Sequence, residues 1–265
     1  MTLVVCDVDG TLVDRQKRLT DATLAAVERL RARGFGFTII SARPVSGMMA
    51  LAERLELDAP MGAFNGGIVF RRDGAIEAHH TIPPEVARGV FDAAREAAVD
   101  RWVFADDLWY ASTDRGEHVA HERVASAQEP IVREGFADLL DRADKITFVS
   151  DDLAVLGGLA ERVKPFAGRA TIVQSQVYYL DITAQAANKG DGIAALAQAI
   201  GVPLHKTIAI GDQANDLAMF ARAGRSIAMG NATDAVKAQA GDVTTSNDMD
   251  GVAHAIDNLI LGRMM

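Results

Sequence analysis

The chain has 265 residues, nearly half of them hydrophobic and about a quarter charged, enough for one large core or two modest ones. A net charge of −9 excludes a general nucleic-acid binder, which presents a basic face to phosphates, but allows one small anion at a local lysine or metal. A lone cysteine forms no internal disulfide, the N-terminus lacks a basic segment leading into an apolar stretch, and no run of about 18 apolar residues occurs, so the chain reads as cytoplasmic with no membrane partner.

The predicted elements begin with LVVC, a buried-strand run that ends at Asp7. Thr20–Arg33 has apolar residues at helical spacing, with Thr20 as N-cap and Gly34 as stop. FGFTII (35–40) is a second strand, Val45–Leu55 a helix, and MGAFNGGIVF two short strands about an Asn-Gly turn. From about residue 80 the texture changes. A helix starts at Pro83-Pro84 and runs to Ala98, WVFADDLWYAS is a hairpin, and Glu117–Ala127 is helix-like. KITFVS is a strand, Asp151–Lys164 a helix and RATIVQSQVYYLDIT a strand pair, giving an antiparallel sheet with helices on one face. After Asn188 the β/α alternation returns: helix Gly190–Ile200, strand TIAIGD, helix ANDLAMFARAG, strand SIAMG and helix Thr233–Gln239.

This order predicts an α/β fold: a doubly wound, Rossmann-like parallel-sheet core made of residues 1–80 and 187–265, with an inserted α+β domain over 81–186. In an open parallel sheet, ligands sit beyond the carboxyl ends of the strands. Four polar clusters fall there: Asp7 and Asp9 after the first strand, Ser41 and Arg43 after FTII, Lys189 at a helix start, and GDQAND after TIAI. Each has an ordinary explanation alone. Asp9-Gly10 and Asn65-Gly66 are turn signals, Ser41 suits a helix N-cap, Lys189 a solvated surface, and Cys6 a buried strand. His118 and His121, at i, i+3, have a spacing that could hold a metal but read first as an exposed helix face. Together, however, the clusters supply at least three carboxylates, a hydroxyl, an ammonium and an amide at one sheet edge. Oxygen donors suit Mg²⁺, and the lysine and hydroxyl suit a phosphate, so the set points to phosphoryl transfer.

DVDGT after a hydrophobic strand, SAR after a second, a later Lys-Gly and GDQAND after another resemble the haloacid dehalogenase superfamily. The chain is most similar to its Cof-type branch, subclass IIB, whose large cap follows the third strand; NGG at 65–67, NKG at 188–190, AIGDQANDLAMF at 209–220 and AMGNA at 228–232 fit as well. The resemblance implies a Mg²⁺-dependent phosphatase acting on a small phosphorylated metabolite such as a sugar phosphate. Asp7 matches the nucleophile that becomes an aspartyl phosphate, and Asp9 the acid/base. Mg²⁺ would be held by Asp7, the backbone carbonyl of Asp9 and Asp212, with Asp216 supporting through water or from behind these ligands. Ser41 and Lys189 would bind phosphate, Asn215 would orient the phosphate or Lys189, and Ala42, Arg43 and Asn65 would lie near the substrate. Ala42 stands where many relatives have glycine. The cap would set specificity and exclude water by closing over the core. Its Trp102, Trp109, Tyr110, Tyr178 and Tyr179 fit either its core or a pocket. Lys189→Met would impair turnover and leave thermal stability nearly unchanged.

Cysteine-based phosphatase chemistry is excluded, because a Cys-x5-Arg pattern counted from Cys6 meets Leu12. A phosphomutase would keep Asp7 and Asp9 but return the phosphoryl group to its substrate. A phospho-acceptor signalling domain also uses aspartate, Mg²⁺ and lysine, but has no inserted domain and no acid two residues past the acceptor. Haloalkanoate dehalogenation needs neither Asp9 nor a metal.

Overall fold

The run LVVCD forms β1 (Leu3–Asp7), buried along its whole length, in a computed structural model that describes residues 1–262. There follow α1 (Asp21–Ala32), β2 (Gly36–Ile40), α2 (Ser46–Arg54), β3 (Met61–Ala63), β4 (Ile68–Phe70) and β5 (Ile76–His79). Next come α3 (Pro84–Ala93), β6 (Asp100–Ala105), β7 (Leu108–Ala111), α4 (Val119–Ser126), β8 (Ile131–Val132), β9 (Ala143–Val149), α5 (Leu153–Val163), β10 (Ala170–Gln176) and β11 (Tyr179–Ala184). The last stretch holds α6 (Lys189–Ile200), β12 (Thr207–Gly211), α7 (Leu217–Phe220), β13 (Arg225–Ala228), α8 (Asp234–Lys237), β14 (Asp242–Val243) and α9 (Gly251–His254), which continues as a π-helix over Ala255–Leu261. The chain divides into two units. The first comprises Met1–Ala42, Met49–Ala78 and the chain from Asn188 onward; the second comprises Arg43–Met48 and His79–Ala187.

The first unit is built on an eight-stranded sheet in the order β14-β13-β12-β1-β2-β3-β4-β5. β1 pairs in parallel with β2 on one side and β12 on the other, with Cys6 opposite Ile39 and Ile210. The connection from β1 runs to β2 on one side and that from β12 runs to β13 on the other, so β1 and β12 flank the topological switch point, where open α/β sheets bind ligands. α1 is placed by its sequence: Thr20 accepts the Thr23 N–H at 3.2 Å, worth about 1 kcal/mol as an N-cap. Ala26, Val27 and Leu30 are buried along one stripe of α1. On the sheet, Leu3, Val5, Ile40, Ala209 and Ala228 pack with Ile193 and Leu196 of α6 and Met219 and Phe220 of α7. Each such large side chain contributes roughly 1.5–3 kcal/mol when fully buried. Sequence periodicity overestimates α7: Ala214–Asp216 is 3-10 helix and only Leu217–Phe220 is α-helical. It also misses the closing helix, whose Val252, Ala253 and Ile256 are buried.

The second unit has a six-stranded sheet, β10-β11-β9-β6-β7-β8, antiparallel except for the parallel β7–β8 pair. α3 and α5 pack with Val103, Ala105, Ile146, Phe148, Leu180 and Ile182 on one face. α4 departs from the one-face expectation. The His118 carbonyl at its start accepts the Tyr179 hydroxyl, and Tyr179 belongs to the opposite face, against Trp102. That face carries Trp102, Trp109, Phe104 and Tyr179, all buried, so these are core, while Tyr110 and Tyr178 are half-buried. α3 stops at Ala93 instead of Ala98 because the Arg101 guanidinium takes the carbonyls of Ala94, Ala97 and Val99 and turns the chain into β6. Arg43–Met48 belongs here through Ser46: its N–H donates to Asp107, its hydroxyl donates to the Ser126 carbonyl, and Gln128 donates to that hydroxyl. Among the described residues, no helix is long and apolar enough to cross a membrane.

Candidate active site

At the switch point of the first unit, β1 ends on Asp7 and β12 leads into Asp212, while the 3-10 turn that follows supplies Asp216. All three are buried, and one carboxylate oxygen from each lies within 4.8 Å of the others. Two glycines let the acids come so close. A Cβ on Gly10, whose φ is +81°, would stand 2.4 Å from Asp212 Oδ2, and one on Gly211 would stand 2.4 Å from Asp216 Cγ. The glycines of the DGT and GD pairs are thus a steric condition for the cluster.

Lys189 opens α6, whose N-cap Asn188 accepts the Asp191 N–H at 2.9 Å. Its ammonium is buried and bridges two of the acids, donating to Asp7 Oδ1 and, at 2.5 Å, to Asp216 Oδ1. Asp216 Oδ2 accepts the N–H groups of Asp212 and Gln213, both at 2.8 Å. Asp216 therefore holds its own loop and Lys189 together. Asp212 accepts from the Thr11 hydroxyl at 2.8 Å, from Gln213 Nε2 at 3.2 Å and from Asn231 Nδ2 at 3.3 Å.

The electrostatics follow from three acids and one ammonium in a dry place. Burial pushes Asp7 well above the usual carboxylate range; Lys189 opposes this, and Asp216 and Asp212 add to it. Burial likewise raises Asp212 against its hydrogen bond from Thr11. Burial alone would depress Lys189, but Asp216 and Asp7 win and hold it above its ordinary value. An excess of buried negative charge on oxygen donors, with no nitrogen or sulfur ligand, fits a hard divalent cation.

The other sequence-predicted residues are placed as follows. Asp9 lies at the turn after β1 and pairs with Lys17 at 2.6 Å. Ser41, directly after β2, is buried; its N–H donates to Gly62 and its carbonyl accepts the Asn65 N–H. Asn65 sits at φ 59°, ψ 26°, and its side chain accepts from Asn215 Nδ2 at 3.2 Å. Asn215 thus reaches Asn65, and the bond that orients Lys189 comes from Asp216. The Asn65 loop touches α6 backbone to backbone, since a Cβ on Gly66 would lie 2.4 Å from Gly192 Cα. Ala42 is exposed, and Arg43 belongs to the second unit, where it donates to the Gly47 carbonyl. Cys6 is fully buried, and burial pushes its thiol well up, which leaves it inert. His118 stacks on Tyr178 with ring centres 3.6 Å apart and bonds to Asp151. The sequence assigns no part to Thr11, Lys17, Gln213 or Asn231. Thr11, Gln213 and Asn231 lie inside the DVDGT, GDQAND and AMGNA motifs; Lys17 carries no sequence signal.

Residues 4–256 match the sequence profile of the haloacid dehalogenase-like hydrolases. Among curated proteins, a 5-amino-6-(5-phospho-D-ribitylamino)uracil phosphatase of Bacillus subtilis is 28% identical over 95% of this chain and 94% of its own. A second B. subtilis phosphatase, YwpJ, is 26% identical over 98% of this chain and 100% of its own. Among solved structures, a haloacid dehalogenase-like hydrolase of Bacteroides thetaiotaomicron superposes with a TM-score of 0.88 at 27% identity, covering 97% of this chain and 99% of that one. The subclass IIB sugar phosphatase BT4131 has the same fold, with a TM-score of 0.83 at 23% identity over 98% of this chain and 99% of its own. With its profile match spanning both units and the carboxylates meeting at the switch point of a doubly wound sheet, the chain belongs to the haloacid dehalogenase-like hydrolase family.

Proposed function

We propose that this phosphatase hydrolyses a small phosphorylated metabolite through an aspartyl-phosphate intermediate on Asp7, with Mg²⁺ as cofactor. The observation that carries the reading is the buried Asp7–Lys189–Asp216 bridge beside Asp212. Asp7, the Asp9 backbone carbonyl and Asp212 would hold the cation. When bound, it supplies the positive charge that keeps Asp7 ionised and lets an anion approach a phosphate dianion.

The chain's own groups do the rest. An Asp7 carboxylate oxygen attacks phosphorus while the P–O ester bond breaks; its electron pair leaves on the substrate oxygen, which takes a proton from Asp9. Water then attacks the phosphorus of the acyl phosphate and gives a proton to Asp9, releasing inorganic phosphate and restoring Asp7. Lys189 has three N–H donors. Two serve Asp7 and Asp216, which leaves the third to donate to a phosphate oxygen in this reading. Ser41, buried at the end of β2, is the second phosphate donor.

The test is a panel of phosphorylated sugars, nucleotides and cofactor precursors, assayed for phosphate release with Mg²⁺. One or a few should be turned over with release of inorganic phosphate. Phosphoryl return to the substrate in place of phosphate release would make the protein a mutase, and no turnover of any phosphate monoester would remove the proposal.

A further inference from the structure

Asn231 lies in the AMGNA segment, directly after β13, and the chemistry above gives it no part. Its carboxamide meets three other loops. Nδ2 donates to the Gly10 carbonyl at 2.8 Å and to Asp212 Oδ2 at 3.3 Å, and Oδ1 accepts the Asn247 N–H at 3.0 Å. Asn247 is buried, and its own Nδ2 donates to the Val13 carbonyl at 2.9 Å. The two asparagines thus close a circuit from the loop after β1, through the loops after β13 and β14, to the loop after β12.

The circuit joins the two halves of the cation site. Gly10 is the neighbour of Asp9, and Asp212 is the acid expected to face the same ion. A carbonyl and a carboxylate brought together from distant parts of the chain repel each other and gain nothing from local structure. An amide that donates to both lowers that repulsion and fixes their separation. Thr11 holds the other Asp212 oxygen, so the carboxylate is gripped at both ends. Asn231 itself is exposed, which makes it a poor contributor to the fold and a good one to geometry.

We propose that Asn231 is a positioning residue for the cation site, holding the Asp212 carboxylate and the Asp9–Gly10 segment at the separation one ion requires. The proposal rests on the metal reading above. Loss of an outer hydrogen bond to a metal ligand typically costs 10–100-fold in affinity. The test is Mn²⁺ titration followed by electron paramagnetic resonance on cold wild-type protein, Asn231→Ala and Asp212→Asn, with circular dichroism to verify folding. Asn231→Ala should raise the Mn²⁺ Kd by roughly 10–100-fold while the metal-free protein still folds in the cold. If Asp212→Asn binds Mn²⁺ like the wild type, the metal reading fails and takes this proposal with it. If Asp212→Asn loses the ion while Asn231→Ala keeps it, only the positioning role fails. An Asn231→Ala protein that does not fold even in the cold would also overturn the proposal, since the residue would then be holding the fold.

Discussion

Lys189→Met should destabilise the protein as well as silence it. The side chain is 1% exposed and joins two buried carboxylates, so the expectation of unchanged thermal stability, drawn from the sequence, does not survive the structure. Methionine fills much of the same volume but leaves Asp7 and Asp216 facing each other without the ammonium. Removing one member of a buried ion pair costs about 3–5 kcal/mol. At roughly 2–4 °C per kcal/mol for a protein of this size, the melting temperature should fall by roughly 6–20 °C. The sign of the pH dependence is fixed by Asp7. Burial already raises its pKa, and the mutation removes the opposing influence of Lys189. A group whose folded pKa lies above its unfolded value stabilises the fold below the unfolded value and loses that contribution as pH rises through the folded one. The penalty should therefore be larger near about pH 8 than near about pH 4.5. Thermal melts of EDTA-treated wild-type and mutant protein at both pH values measure it, with phosphate release assayed in parallel. A mutant that melts with the wild type near about pH 8, or loses more at acid pH, would refute the reasoning.

Excess EDTA should abolish turnover, and Mg²⁺ or Mn²⁺ should restore it; undiminished activity in chelator would contradict the all-oxygen site. Asp7→Asn should leave essentially no turnover, whereas Asp9→Asn should lose roughly 10²–10⁴-fold, least with an aryl phosphate whose leaving group needs little protonation. Single-turnover assays on both variants decide this, and the opposite ranking would reverse the two roles. Gly66→Ala should cost about 1–3 kcal/mol in urea denaturation, because the new methyl meets the Gly192 backbone at a φ of +93°; an unchanged midpoint would deny the contact. Asp144 is raised to about 6, mainly by burial against its bond to His79, and its Oδ2 is buried without a partner. Its contribution to stability is present below about pH 4 and lost as pH rises through about 6, so Asp144→Asn should gain on the wild type by up to about 3 kcal/mol across the window between about pH 4 and about pH 7. Parallel urea curves at its two ends would show no such gain if the carboxyl were not perturbed.

The sequence made the sheet and the acid cluster readable because both rest on local signals. A short apolar run ending in DVDGT, and another ending in GDQAND, each declare a strand and the loop beyond it. Lys17 was invisible for the opposite reason: nothing local marks a lysine in a turn as the partner of Asp9, and only the path of the loop brings them together. Asn231 was visible as a letter in a motif, but its role depends on three loops that come together only in the folded sheet. Ala-rich residues after Ala93 have helical propensity, and the Arg101 guanidinium overrides it from the next strand. The face chosen by α4 was likewise hidden, since it depends on which side of the sheet Trp102 and Tyr179 occupy.

The pairing of β1 with β12 has a consequence for biosynthesis. Leu3 lies opposite Thr207 and Cys6 opposite Ile210, so the first strand made must wait for more than two hundred further residues before its second neighbour exists. Until then β1 is an edge, and edges invite pairing with other chains. His79–Ala187 has all six of its strands before β12 leaves the ribosome, so most of the second unit is free to fold first. A nascent chain arrested anywhere before Gly211 has Asp7 without Asp212 or Asp216. Such a chain holds a nearly finished second unit and a half-built sheet, and the open β1 edge is then the place where pairing with another chain starts.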